Sequence, residues 1–114
     1  MNQSLLKSLL STEFYNENKA KLRSSIFDEA VKDVYETIIS MHEKFSKDIS
    51  ALELFAFWKA KNPTSTDSWS VEIEDQINTI ANADSISPEI ATDVIENLWR
   101  QHIGLDVSHL GMSP

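Results

Sequence analysis

This sequence predicts an all-α fold, a compact bundle of about six helices, on three observations. Glycine and proline are scarce, two and three in 114 residues, so little interrupts a helix. Apolar residues recur at three- and four-residue spacing along most of the chain, the period of a helix with one buried face. Hydrophobic residues make up 41% of a chain of single-domain length, enough for a modest core and too much for disorder.

The elements follow in order. Residues 3–11 carry Leu5, Leu6, Leu9 and Leu10 on one stripe, and a short second helix after Ser11-Thr12 presents Phe14, Tyr15 and Leu22. In the third, Phe27, Ala30, Val31, Val34, Tyr35, Ile38, Met41 and Phe45 share a face, with charged Asp28, Glu29, Lys32, Asp33 and Glu36 opposite. Ser24 or Ser25 is its expected cap. The fourth begins at Ser50-Ala51-Leu52-Glu53, a capping box in which serine oxygen and glutamate carboxylate satisfy orphan backbone donors. Ile49 and Leu54 suit a hydrophobic staple. Asn62-Pro63 ends this helix, because the residue before proline is pushed out of helical geometry. The fifth places Trp69, Ile73, Ile77 and Ile80 on a stripe. Ser87-Pro88-Glu89 opens the sixth, whose stripe is Ile90, Ala91, Val94, Ile95, Leu98, Trp99 and His102, with Gly104 as a left-handed exit. Residues 1–104 are expected to form one helical domain and 105–114 a flexible tail or the start of a linker.

Charge is divided unevenly. Up to Lys61 the nine basic and nine acidic residues cancel; beyond it Arg100 stands alone against nine acids, so the whole net charge of −8 lies in residues 62–114. That half would repel a phosphate backbone, and no direct nucleic-acid binding is expected through it. Cys is absent, which excludes disulfides and thiolate chemistry. The longest apolar run, Leu54 to Trp58, is far below the roughly 20 residues that cross a bilayer. No basic-then-apolar leader is visible, so a cytoplasmic location is expected. Neither glycine belongs to a phosphate-binding loop.

Candidate chemistry is sparse. His102, Asp106 and His109 are metal-ligand types, yet an exit at Gly104 would leave them no shared face, so no metal is expected. His42 reads as a partly buried, satisfied histidine. The paired acids Asp28/Glu29, Glu72/Glu74/Asp75 and Glu89/Asp93/Glu96 read as solvated helix faces rather than acid–base pairs. Lys19, Lys21 and Arg23 read as a mixed-charge surface beside Glu13 and Glu17. The aromatic residues are more suggestive. Leu52, Leu54, Phe55, Phe57 and Trp58 point in too many directions for one stripe, so the fourth helix buries two faces or presents an aromatic residue to a partner. Phe57, Trp58 and Trp99 are the candidate partner-binding residues.

The order of features also resembles the N-terminal domain of DnaB-type replicative DNA helicases, phage relatives included. It begins at Leu9-Leu10-Ser11-Thr12-Glu13-Phe14, where that family has a leucine-rich helix, a turn and a short helix. Leu22-Arg23-Ser24-Ser25-Ile26-Phe27 is similar to its segment before the long helix, and Val34-Tyr35-Glu36-Thr37-Ile38 to its Ile-Tyr-Glu-Ala-Ile pattern. Lys47-Asp48-Ile49-Ser50 resembles its Pro-Ile-Asp stretch. Ser85-Ile86-Ser87-Pro88 and the helix through Trp99-Arg100 resemble its Ser-Ala-Asn segment and first hairpin helix. Residues 5–103 are covered. The resemblance implies a helical head with the start of a helical hairpin. It implies a collar domain that contacts primase, a helicase loader or neighbouring subunits, without catalysis. ATP and magnesium would belong to a separate motor domain, and the full-length protein would form homo-oligomers. The family has a second long hairpin helix where residues 105–114 stand here. The alternative reading is a small acidic regulator, of the phage type that mimics DNA charge or blocks a host factor.

Overall fold

The computed structural model describes the backbone of residues 2–23 and 26–111 and the side chains of 3–23 and 26–101. Among the described residues the fold is all-α, with no strand. The helices are α1 (Asn2–Ser8), α2 (Thr12–Asn18), α3 (Lys32–Phe45), α4 (Ala51–Lys61), α5 (Asp67–Ala81) and α6 (Pro88–Gly111). Single 3₁₀ turns, Lys19–Lys21 and Glu29–Val31, follow α2 and precede α3.

Local chemistry sets most boundaries. The Ser11 hydroxyl accepts from the Phe14 amide to start α2, and the Thr66 hydroxyl accepts from the Trp69 amide to start α5. At α4 the capping box is complete: the Glu53 amide donates to the Ser50 hydroxyl and the Ser50 amide to the Glu53 carboxylate, each at 3.1 Å. The Asn62 side chain donates back to the Trp58 carbonyl where α4 ends. Ser87 caps α6, with Pro88 in the first turn, where the missing amide hydrogen costs nothing.

Two boundaries differ from expectation. The third helix begins at Lys32, capped by Val31 without a side-chain bond, so Phe27 and Ala30 lie before it. Ser24 and Ser25 lie outside the described residues. The sixth helix does not leave at Gly104 but continues to Gly111, spanning about 36 Å at 1.5 Å per residue. One glycine costs a helix only about 1 kcal/mol, and no glycine among the described residues takes the left-handed conformation that would end it.

One core joins all six helices. Leu5, Leu6, Leu9, Ile38, Leu54 and Ile95 are fully buried, with Phe14, Val34, Ile77, Ile80 and Ala91 packed among them. Each large aliphatic residue contributes about 1.5–3 kcal/mol relative to exposure. The α4 helix packs against both α3 and α5, α1 lies on α5 and α6, and α2 lies on α6. Polar ties lock the frame. The Lys7 ammonium donates to the Ala83 carbonyl at 2.8 Å, and buried Asn18 donates to the Phe14 carbonyl and the Thr92 hydroxyl.

The α3–α4 corner carries the tightest constraint. Ser46 ends α3 with φ 51° and ψ 45°, left-handed geometry that glycine adopts more easily. The chain then reverses so that the Ile49 amide reaches the Leu10 carbonyl at 2.9 Å and the Asp48 carboxylate accepts from the Thr12 amide. Beneath this corner His42, 3% exposed, donates from Nε2 to the Leu9 carbonyl and stacks on Tyr15 at 4.5 Å. Its Nδ1 is buried without a hydrogen-bond partner among the described residues.

Two predictions follow from this corner. Replacing Ser46 with glycine relieves left-handed strain, and chemical denaturation should show a gain of about 0.5–1 kcal/mol. Burial pushes the His42 imidazole below its ordinary range, against the raising effects of the Leu9 carbonyl and Asp48. The unfolded chain therefore takes up this proton at higher pH than the folded one. Stability is full above roughly pH 6.5 and is lost as pH falls below it. Denaturation midpoints should drop between neutral and mildly acidic pH, and His42→Gln should shrink that drop.

Candidate functional site

The last turn of α3, the Ser46 corner and one side of α4 enclose a groove of about 360 Å³ lined by Met41, Phe45, Lys47, Ile49, Glu53, Ala56 and Phe57. Helix geometry explains the lining. Glu53, Ala56 and Phe57 fall at i, i+3 and i+4 on one side of α4, while Met41 and Phe45 are one turn apart on α3. Met41 and Ile49 are buried and form the floor. The Phe45 and Phe57 rings meet edge to face at 5.7 Å, an arrangement that ring quadrupoles favour. The pair stays open to solvent: Phe45 is 47% exposed and Phe57 is half-buried. Leu52, one turn before Ala56 on α4, is 79% exposed and extends the apolar strip.

The rim is cationic. The Lys44 ammonium lies 5.6 Å from the Phe45 ring centre and 6.0 Å from that of Phe57, and Lys61 lies 4.9 Å from Phe57. These are cation–π distances. Lys47 pairs with Glu53. That pairing, with the Ser50 backbone and hydroxyl, holds the Glu53 carboxyl at about 2.

Of the three aromatic residues singled out in the sequence, Phe57 lines this groove. Trp58 does not; it is 2% exposed, and this corrects the expectation that it could meet a partner. Being one residue on, it projects about 100° around α4 toward α5. There it meets Trp69 edge to face at 5.1 Å and stacks beside Phe55 at 6.2 Å. Trp99 is half-buried on α6, apart from the groove lining, and its indole nitrogen is enclosed without an acceptor among the described residues. The helical period places Phe45 on a buried stripe, yet it opens onto the groove because the Ser46 corner ends α3 beside it. Ile90 likewise leaves the expected stripe of α6 and is 57% exposed, while Ala91 and Ile95 are buried.

The remaining constellations are dispersed. The described carboxylates are exposed, apart from the half-exposed Glu53 and Glu96, and none is buried. Lys21 reaches Glu96 at 3.5 Å, so the basic cluster meets the acidic half as a mixed-charge surface. No group of three or more His, Asp or Glu among the described residues is placed to hold a metal, and the His102, Asp106 and His109 side chains lie outside them. Among the described residues no helix is long and apolar enough to cross a membrane. The chain matches no family model and has no significant match among curated proteins or solved structures.

Phe57 and Trp58 should separate cleanly on substitution. Trp58→Ala empties the wedge between α4 and α5 and should cost about 3–5 kcal/mol, a large part of a small domain's stability. Phe57→Ala should cost well under half of that and retain full helicity by circular dichroism.

Proposed function

We propose that this chain is a non-catalytic protein-interaction domain, the N-terminal collar domain of a DnaB-type replicative DNA helicase. In that role it contacts primase, a helicase loader or neighbouring helicase subunits. The observation that carries this reading is the open Phe45–Phe57 groove: an aromatic pair left half-covered beside a complete core is the composition of an interface anchor. The ordered resemblance from Leu9 to Arg100 supports the family, and the long α6 is consistent with a first hairpin helix. Dispersed, exposed carboxylates give no cleft in which two carboxyls could share acid–base work. ATP and magnesium would act only in a separate motor domain.

A second reading rests on a different surface. Asp67, Glu72, Glu74, Asp75, Asp84, Glu89 and Asp93 are all exposed on α5, α6 and their connection. Arg100, the one cation after Lys61, is engaged by Glu96 at 2.5 Å. Such a face suits an acidic regulator that occupies a DNA-binding protein in place of DNA.

Affinity capture on the tagged chain, with bound proteins identified by mass spectrometry, separates the two. The helicase reading expects primase, loader or helicase subunits, lost with Phe57→Ala or Phe45→Ala. Recovery of a DNA-binding enzyme that is insensitive to both substitutions would sink it in favour of the regulator.

A further inference from the structure

We propose that the Phe45–Phe57 groove takes an acidic amphipathic helix from another polypeptide, with apolar side chains on the aromatic pair and carboxylates on the lysine rim. This rests on the interaction-domain reading and specifies its partner chemistry.

Charge complementarity selects the occupant. Among the described residues neither Lys44 nor Lys61 has a carboxylate within ion-pair distance, although the protein as a whole carries −8. Lys44 is instead held over the Phe45 and Phe57 rings, and Lys61 over Phe57. Lys47 is neutralised by Glu53, which leaves Lys44 and Lys61 as the cations at the aromatic pair. A ligand with carboxylates beside its apolar side chains satisfies ring and rim together, whereas a basic one meets like charge.

The shape of the site favours a helix. The groove runs between two helices, and exposed Leu52 stands one turn before its Ala56 on α4, so a ligand with apolar residues at i, i+3 or i+4 and i+7 can lie along it. Among the residues whose side chains are described, the acidic helices α5 and α6 offer no such exposed ridge. Exposed Val71 has Glu74 and Asp75 three and four residues on, and exposed Ile90 has Asp93 and half-buried Val94. The lysine pair over the rings favours an acidic helix of a different polypeptide, and a second copy is the rival that the test below distinguishes.

The test uses the intact chain and two labelled helical peptides of about 16 residues, each with Leu and Phe along one face and with either Glu or Lys on the other. Fluorescence anisotropy should show the Glu peptide binding at least about ten-fold tighter than the Lys peptide, a preference that shrinks with salt. Phe57→Ala should weaken the Glu peptide about ten-fold or more, and Lys44→Glu with Lys61→Glu should invert the preference. The lysine substitutions are on the surface, so unchanged circular dichroism is the control for folding. Equal affinity for both peptides, no binding of either, or Glu-peptide binding that survives Phe57→Ala would overturn the proposal. Concentration-dependent self-association in sedimentation that disappears with Phe57→Ala would overturn it in favour of a second copy. If the peptides fail while Phe45 and Phe57 substitutions still abolish capture of a replication protein, the interaction-domain reading survives and only the acidic partner class falls.

Discussion

The wedge of α4 between α3 and α5 is the constraint on which the rest of the molecule depends. Leu54 and Trp58 sit at its centre, fully buried or nearly so, and Trp58 also holds Trp69 at the start of α5. A helix with apolar groups nearly all round must bury more than one face, and two neighbours meet that demand here. They do not meet it completely. The side of α4 bearing Phe57 and Ala56 meets only the end of α3, where Ser46 turns the chain away, and the uncovered remainder is the groove.

The same corner joins stability to accessibility. His42, stacked on Tyr15 and bonded to Leu9, ties α3 to the end of α1, while Ile49 and Asp48 tie the next segment to Leu10 and Thr12. These bonds fix the backbone on both sides of Ser46, so the groove walls are held by polar contacts, that of His42 buried. Rigid walls lower the ordering cost a ligand must overcome. The lysines on the rim, by contrast, are long and solvated, and they suit selection by charge more than raw affinity.

A local lysine–aromatic patch in the neutral first half therefore contrasts with the acidic second half. Around the α3–α4 corner, aromatic rings carry uncompensated ammonium groups; across α5 and α6 lies a field of exposed carboxylates. Such an asymmetric distribution orients partners before contact and keeps phosphate backbones away from one side.

Much of the fold was legible in the residues themselves. The capping box at Ser50–Glu53, the Ser87-Pro88 start and the stop at Asn62-Pro63 are local chemistry, acting between residues a few positions apart, and they appear as read. The leucines of α1 and the isoleucines of α5 were core by period alone. Periodicity could not rank neighbours on a helix that is apolar on several sides, so Trp58 was grouped with Phe57 although their directions differ by one helical step. It also could not show that Phe45 opens to solvent, because that depends on the left-handed Ser46 and on bonds from residues 48 and 49 back to 10 and 12. The sequence by itself determined the existence of the helices and most of their buried positions, because spacing and caps are local. Only the tertiary structure decided which aromatic residue became core and which became surface, because that choice belongs to the helices packed around them.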